Sequence, residues 1–158
     1  MKNAPPLPRR IVRSKEQYLS YVKAQNNKTN VYTSVYDFAE FDAHGESIEK
    51  AWRDVKVVMA NVIDNDYQHT LFFSGRGFHL FVFGEVTDTI RNIQVFFREI
   101  KNYLIKRVGN DITLDDRVGQ ATRLRRIPNT VNMSSRDENG NPYFCIPLLV
   151  DDLDKDIN

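Results

Sequence analysis

Residues 69–83 read HTLFFSGRGFHLFVF, and this stretch points most directly to the fold. Aromatic and β-branched residues fill both of its halves, His69–Phe73 and Phe78–Phe83, which is typical of strands. The segment Ser74-Gly75-Arg76-Gly77 between them has the glycines that a tight turn requires. We therefore predict an antiparallel pair of strands near the middle of the chain.

Helical patterns alternate with strand patterns on both sides of this pair. Ser14 and Ser47 are each followed by helical periodicity, which predicts helices to about Gln25 and about Ile63. A longer helix follows Thr87 and ends at Gly109. Val31–Phe41 and Tyr143–Val150 have strand character, and residues 110–136 are mixed. The order indicates an α+β fold with a mostly antiparallel sheet flanked by helices, close to the RNA-recognition arrangement. The inward stripes of the two longer helices are Ile48, Trp52, Val55 and Met59, and Ile90, Ile93, Phe97, Ile100 and Leu104.

The chain has 158 residues and a net charge of +1, but its charges are unevenly distributed. Residues 1–13 form a basic, proline-rich arm, residues 14–150 a single domain, and residues 151–158 an acidic tail. A second basic block spans residues 117–136 and contains no acid. Two basic blocks favour an anionic partner, whereas a solvated surface with local bias is the alternative.

Several classes of protein are disfavoured by composition. The single cysteine, Cys145, excludes an internal disulfide and a multi-cysteine zinc site. No apolar run approaches the roughly 20 residues of a membrane span, so we expect no contact with a membrane. The first residues lack the apolar stretch of a secretory signal. We therefore expect a cytoplasmic protein.

Glu40 and Asp42 are the first pair of residues with chemical potential. They occupy alternate positions of a predicted strand, and alternate positions share one face. Two adjacent carboxylates repel each other unless a cation lies between them, and hard oxygen ligands suit Mg²⁺ or Mn²⁺. The alternative is a pair of solvated acids where a strand enters a turn.

The turn Ser74–Gly77 with His79 is the second candidate. Its glycines allow backbone amides to approach an anion, Ser74 and Arg76 add donors, and His79 could bond a phosphate. We expect Arg76 and His79 to face the cleft that holds the acids. The spacing differs from that of a P-loop, and a strand rather than a helix follows. A hairpin turn with a surface arginine and a satisfied histidine is the alternative.

Residues 113–132 carry the third candidate. Asp115, or its neighbour Asp116, could complete a metal site, and the arginines of RLRRIPNTVN, residues 123–132, could hold phosphates in bidentate fashion. An exposed arginine-rich loop, or a loop that binds a nucleic-acid backbone without catalysis, is the alternative.

In this order the three motifs resemble the archaeo-eukaryotic primase superfamily, over about residues 31–148. The resemblance implies a primase-type catalytic core: a two-metal nucleotidyl transferase that synthesises primers on single-stranded DNA from nucleoside triphosphates. This chain has Glu-x-Asp where the family more often has Asp-x-Asp. The resemblance implies that Mg²⁺ or Mn²⁺ is coordinated by Glu40, Asp42 and Asp115, with Asp37 and Asp116 as alternatives. It implies that the triphosphate is bound by Ser74, Arg76, His79, Arg123 and Arg126. It also implies that DNA is bound by Arg9, Arg10, Arg13 and Arg125.

The resemblance also bears on partners. Members of the superfamily include primase-polymerases of plasmids and viruses, and a large primase subunit or a helicase would be a possible partner. A catalytically inactive protein that binds nucleic acid or nucleotide on the same fold is the alternative function. The two functions differ in whether Glu40, Asp42 and Asp115 form a complete metal site.

Overall fold

The computed structural model describes residues 13–26, 28, 32–34, 38–42, 47–83, 90–115 and 124–156. The described helices are α1 (Lys15–Gln25), α2 (Ile48–Asp64) and α3 (Ile90–Val108), with a 3-10 turn at Val150–Asp152. The described strands are β1 (Tyr32–Ser34), β2 (Phe38–Asp42), β3 (His69–Phe73), β4 (Gly77–Val82), β5 (Leu124–Arg126), β6 (Val131–Arg136), β7 (Pro142–Phe144) and β8 (Ile146–Leu148).

A four-stranded antiparallel sheet forms the centre of the molecule. Its strand order is β2-β4-β3-β8, and the hairpin of β3 and β4 occupies the middle, with Phe73 opposite Phe78. Two smaller antiparallel pairs, β1 with β5 and β6 with β7, complete the described strands. The predicted α+β class with antiparallel sheets is confirmed.

Local signals set the ends of the helices. Ser14 accepts a hydrogen bond from the backbone N–H of Gln17, and Ser47 accepts one from that of Lys50, both at 3.2 Å. Each serine thus satisfies an amide that the helix leaves unpaired. Gly109, at φ +86°, follows α3 in the left-handed conformation that often ends helices. Thr87 lies outside the described residues.

The hydrophobic core lies between the sheet and helices α2 and α3. Phe41, Phe78 and Leu80 from the sheet are fully buried, or nearly so, within one cluster. Of the stripe predicted for α2, Trp52, Val55 and Met59 are buried, and Ile48 packs against their cluster. The apolar stripe of α2 is therefore the face of the helix that packs against the sheet. On the predicted α3 stripe, Ile93, Ile100 and Leu104 are buried, Phe97 is partly buried, and the side chain of Ile90 lies outside the description.

The prediction of one strand over Val31–Phe41 was wrong. The chain instead contributes β1 to a pair with β5 and then β2 to the central sheet. The whole run favours extended backbone, so its residues signal strand formation but not the change of partner.

The prediction of one strand over Tyr143–Val150 was also wrong, because the chain changes sheets at Cys145. Its N–H donates to the Thr130 carbonyl (2.8 Å), and its carbonyl accepts from the Asn129 N–H (2.6 Å). These bonds continue the pairing of β7 with the β6 segment by one residue, and from Ile146 onward the chain pairs with β3 instead. The last part of the predicted strand enters the 3-10 turn instead.

The segment after Val150 packs against the domain. The indole N–H of Trp52 donates to the backbone carbonyl of Lys155 at 3.2 Å, and Leu153 lies against the core cluster. The described part of the acidic tail is therefore in contact with α2.

Candidate functional site

Three chain segments meet side by side at the middle of β2. The register of β2 with β4 pairs Glu40 with His79 and Asp42 with Gly77. On the other side of β2, Phe41 forms an antiparallel bridge with Leu114. Antiparallel geometry then brings Asp115 to the position opposite Glu40, and directly opposed residues have Cα atoms about 4.5–5.5 Å apart. Glu40 is therefore flanked by His79 and Asp115.

The alternation of strand residues assigns this row to one face of the sheet. Phe41, Phe78 and Leu114 are buried in the core beneath the helices. Positions 40, 79 and 115 alternate with these residues and so belong to the opposite face. For Glu40 and Asp42 the structure describes the backbone position only. Asp115 is partly buried, and His79 is 5% exposed.

The segment that carries Asp115 is attached to α2 through Asp54, which is fully buried. The Oδ2 atom of Asp54 accepts from the backbone N–H (2.7 Å) and the hydroxyl (2.9 Å) of Thr113. Its Oδ1 atom accepts from Arg53 at 2.6 and 2.9 Å. A buried carboxylate is tolerated only with such partners. Asp54 therefore pairs with Arg53 through Oδ1 and binds the segment at Thr113 through Oδ2.

A second contact holds the start of the same segment. Lys50 forms an ion pair with Asp111, and Arg53 donates to the Asp111 carbonyl at 2.9 Å. The hydrogen bond from Lys50 lowers the pKa of the Asp111 carboxyl. Residues 111–115 are thus fixed to α2 at two places before they reach β2.

The turn between β3 and β4 is closed by Ser74. Its backbone N–H (2.8 Å) and its hydroxyl (3.1 Å) both donate to the carbonyl of Gly77. Ser74 is buried, whereas Arg76 is exposed at the tip of the turn. In this structure the hydroxyl of Ser74 stabilises the turn, and Arg76 is the side chain of the turn that solvent reaches.

Strand β6 clamps this turn from outside. The side-chain amide of Asn132 donates to the Ser74 carbonyl (2.9 Å), and the hydroxyl of Ser135 donates to the Gly75 carbonyl (2.7 Å). Gly75 has φ +91°, and a Cβ there would lie 2.8 Å from Asn132 Nδ2 and 3.0 Å from the Cβ of Tyr143. Only glycine meets both the backbone angle and the close approach of β6 and β7.

Arg76 and His79 lie in different surroundings. Arg76 lines a cleft of about 640 Å³ together with Trp52, Phe73 and Tyr143, and His79 is not among the described residues that line it. Instead, His79 pairs with Glu40 within the sheet. The expectation that both side chains face one cleft with the acids therefore receives no support.

Arg126, which we expected near a triphosphate, lies on β5 and is only 8% exposed. Burial raises the pKa of the neighbouring Cys145 thiol to about 11, although the positive charge of Arg126 opposes this shift. For Arg125 the structure describes only its register position opposite Thr33. Arg13 precedes α1, is exposed, and donates its backbone N–H to the Gln17 side chain at 3.0 Å. Five further predicted site residues lie outside the described residues: Arg9, Arg10, Asp37, Asp116 and Arg123.

Among the side chains that the structure describes, no group of three or more His, Cys, Asp or Glu residues could hold a metal ion. The side chains of Glu40 and Asp42 are not part of that set. The row of Glu40 and Asp115 nevertheless offers carboxylate oxygens, which are the donors that Mg²⁺ and Mn²⁺ prefer.

Asn132 and Asp54 support the candidate site, and their roles were not predicted from the sequence. Asn132 belonged to the third motif, but nothing in the sequence indicated that it would bind the turn of the second motif. Asp54 had a detectable signal, since an acid four residues before Val58 and three after Ala51 falls on the buried stripe of α2. An acid at such a position requires a buried partner.

Comparison of the chain with known protein families, curated proteins and solved structures finds no match. In the described part of the chain, no helix has the length and apolar character needed to cross a membrane.

Proposed function

We propose that this protein is the catalytic core of a DNA primase or primase-polymerase of the archaeo-eukaryotic primase type. It would transfer nucleotides from nucleoside triphosphates onto a growing primer on a single-stranded DNA template. The observation that carries the proposal is the row of His79, Glu40 and Asp115. Residues from three separate motifs come together there, on the face of the sheet that lies away from the helices.

The donor set at this row fits a divalent cation. Glu40, Asp42 and Asp115 would hold Mg²⁺ or Mn²⁺ through carboxylate oxygens, with glutamate in place of the first aspartate. Bound there, the ions would activate a 3′-hydroxyl for attack and stabilise the leaving pyrophosphate. Asp54, by holding Thr113, would keep Asp115 beside Glu40. Preorganisation of this kind avoids rearrangement during the reaction.

The nucleotide and template would be held by cations on the protein. Arg76, exposed at the tip of a clamped turn, is suited to the phosphates of a nucleoside triphosphate. Arg123 and Arg126 would add positive charge near the phosphates. Arg9, Arg10, Arg13 and Arg125 would contact the template backbone in a salt-dependent, sequence-independent way.

A primer-synthesis assay tests the proposal. Purified protein is incubated with single-stranded DNA, labelled ribo- or deoxynucleotides, and Mn²⁺ or Mg²⁺, with and without an annealed primer. We expect labelled oligonucleotides from the wild-type protein and none from Asp42→Asn or Asp115→Asn. Glu138→Gln, which removes an exposed charge elsewhere, should leave synthesis unchanged.

DNA binding separates the two candidate functions. The Asp42→Asn and Asp115→Asn variants should still bind single-stranded DNA, because that binding depends on arginine and lysine contacts with phosphates. Wild-type protein that binds DNA but yields no product with either metal would contradict the proposal. That result would favour a non-catalytic replication accessory protein.

A further inference from the structure

A cleft of about 640 Å³ opens between the first turn of α2, the β3–β4 turn and residues 143–156. We call it the aromatic cleft, because Trp52, Phe73, Phe78 and Tyr143 line it. The rings contact one another: the centroids of Trp52 and Phe78 are 4.9 Å apart, and those of Phe73 and Tyr143 are 5.8 Å apart. Its walls come from the core side of the sheet, so it is separate from the row of Glu40.

The surface next to the cleft is unusually apolar. Half of the large hydrophobic residues that are exposed in the described chain fall within residues 143–150. Leu149 is 70% exposed, and Ile146, which also lines the cleft, is 43% exposed. Exposed apolar residues concentrated in one segment are typical of a surface that another segment covers.

Acidic residues outnumber basic ones among the described residues that line the cleft. Glu49, Asp152 and Asp156 line it, and of these Asp152 forms an ion pair with Lys155 at 2.6 Å. Glu49 and Asp156 are exposed. The cations among the described residues that line the cleft are Arg76 and Lys155. The chemistry that fits is an apolar segment that also carries positive charge.

The chain itself contains a segment with these properties. Residues 4–12 read APPLPRRIV, which combines prolines, leucine and isoleucine with Arg9 and Arg10. Proline-rich segments lose little entropy on binding, and aromatic-lined grooves recognise them. The arginines complement the acids that line the cleft.

When extended, the segment is longer than α1 and can run back along it toward the cleft. The far end of α1 is tied to β6, because Asn26 Oδ1 accepts from the Val131 N–H at 2.9 Å. The neighbouring residue Asn132 pairs with Tyr143, which lines the cleft. An 11-residue helix is about 16 Å long, and nine residues at about 3.1 Å each span about 28 Å.

We infer that the aromatic cleft binds residues 4–12 of the same chain. This inference goes beyond the proposed function and does not depend on it. Because Arg9 and Arg10 are also the proposed DNA contacts, a docked segment would have to leave the cleft before it could bind a template.

A peptide-binding experiment on the full-length chain tests this inference. The probe is a fluorescein-labelled peptide of residues 2–12, followed by anisotropy at low salt. In wild-type protein the chain's own segment competes with the peptide at a high effective concentration. The Arg9→Glu/Arg10→Glu variant weakens that competitor, so we expect it to bind the peptide at least tenfold more tightly than wild type.

Two variants locate the binding site. Glu49→Gln/Asp156→Asn removes two exposed acids that line the cleft and, introduced into the Arg9→Glu/Arg10→Glu protein, should weaken peptide binding about tenfold. The matched control, Asp64→Asn/Glu138→Gln, removes two exposed acids that do not line the cleft and should have no effect. Trp52 is the only tryptophan, so an unlabelled peptide that enters the cleft should also shift the protein's emission.

Three results would overturn the inference. The first is equal peptide affinity of wild-type and Arg9→Glu/Arg10→Glu protein. The second is equal affinity of the Glu49→Gln/Asp156→Asn variant and its control. The third is a wild-type dimer that the peptide dissociates, since the segment would then occupy the cleft of a second copy rather than its own.

Discussion

A single carboxylate oxygen of Asp54, Oδ2, accepts hydrogen bonds from both the backbone N–H and the hydroxyl of Thr113. Asp54 lies on α2, beneath the sheet, and Thr113 lies two residues before Asp115. The next residue, Leu114, bridges to Phe41 on β2. One buried contact therefore connects a core helix to the position of a proposed metal ligand.

Replacing Asp54 with asparagine should lower both stability and metal affinity. Asparagine presents an N–H₂ group where the carboxylate accepted from Thr113 or Arg53, so buried donors lose their partner. We expect a loss of about 2–3 kcal/mol in the free energy of unfolding. Mn²⁺ affinity should fall about tenfold, as is typical when a residue that supports a metal ligand is changed.

Thermal unfolding and calorimetric titration with Mn²⁺ measure the two effects of Asp54→Asn. Asp64→Asn is the control, because it removes an exposed acid at the end of α2 that does not contact residues 111–115 in any bond described above. Equal melting temperatures for the two variants would show that the Asp54 contact is unimportant. If Asp54→Asn binds Mn²⁺ as tightly as wild type does, Asp54 does not support the metal site.

Gly75→Ala should be far more disruptive than Gly109→Ala. Both glycines have positive φ, so each alanine incurs about 1 kcal/mol of backbone strain. At Gly75 the new Cβ would also collide with Asn132 and Tyr143, whereas nothing lies within 4 Å at Gly109. We expect the free energy of unfolding of Gly75→Ala, measured with urea, to be about 1–3 kcal/mol lower than that of Gly109→Ala. Similar values for the two variants would contradict the close packing of β6 against the turn.

Arg76→Ala should weaken nucleotide binding without affecting the fold. Arg76 is exposed at the tip of a turn that Ser74 and Asn132 hold in place. We expect about a tenfold loss of nucleoside triphosphate affinity in calorimetric titrations, typical of one charge-assisted contact. Arg98→Ala, an exposed arginine on α3, is the control. A large fall in melting temperature with intact nucleotide binding would make Arg76 a structural residue.

Cys145 should make stability fall at alkaline pH. Burial raises the pKa of its thiol from about 9 to about 11, so the folded state disfavours the thiolate. The stabilisation is complete below pH 9 and is lost between pH 9 and 11, to a total of about 3 kcal/mol.

Urea unfolding of wild type and Cys145→Ala between pH 7 and 11 isolates this effect, because other titrating groups are common to both. The stability difference between them should shrink, or reverse, above pH 9 in favour of the variant. A difference that stays constant across this range would show that the Cys145 thiol titrates normally.

The helices could be predicted from the sequence because their signals are local. Ser14 and Ser47 each accept a hydrogen bond from a backbone N–H three residues ahead, in the first turn of the helix that they cap. The inward stripe of α2 repeats with the period of the helix. The two strand predictions failed where a single extended run changes partner. At Cys145 the second run passes from pairing with β6 to pairing with β3, and both partners are decided by contacts that no local signal encodes.

The sequence by itself determined which residues are chemically suited to a site: two acids at alternate positions of β2, a glycine turn with Arg76, and the acid Asp115. It contained no information on their distances, since hydrogen bonds between strands depend on register. Only the tertiary structure brought Asp115 opposite Glu40, through the bridge of Phe41 with Leu114 and the buried carboxylate of Asp54. It also decided that Arg76 lines the aromatic cleft while His79 pairs with Glu40, because the register of β4 with β2 depends on residues that are distant in sequence.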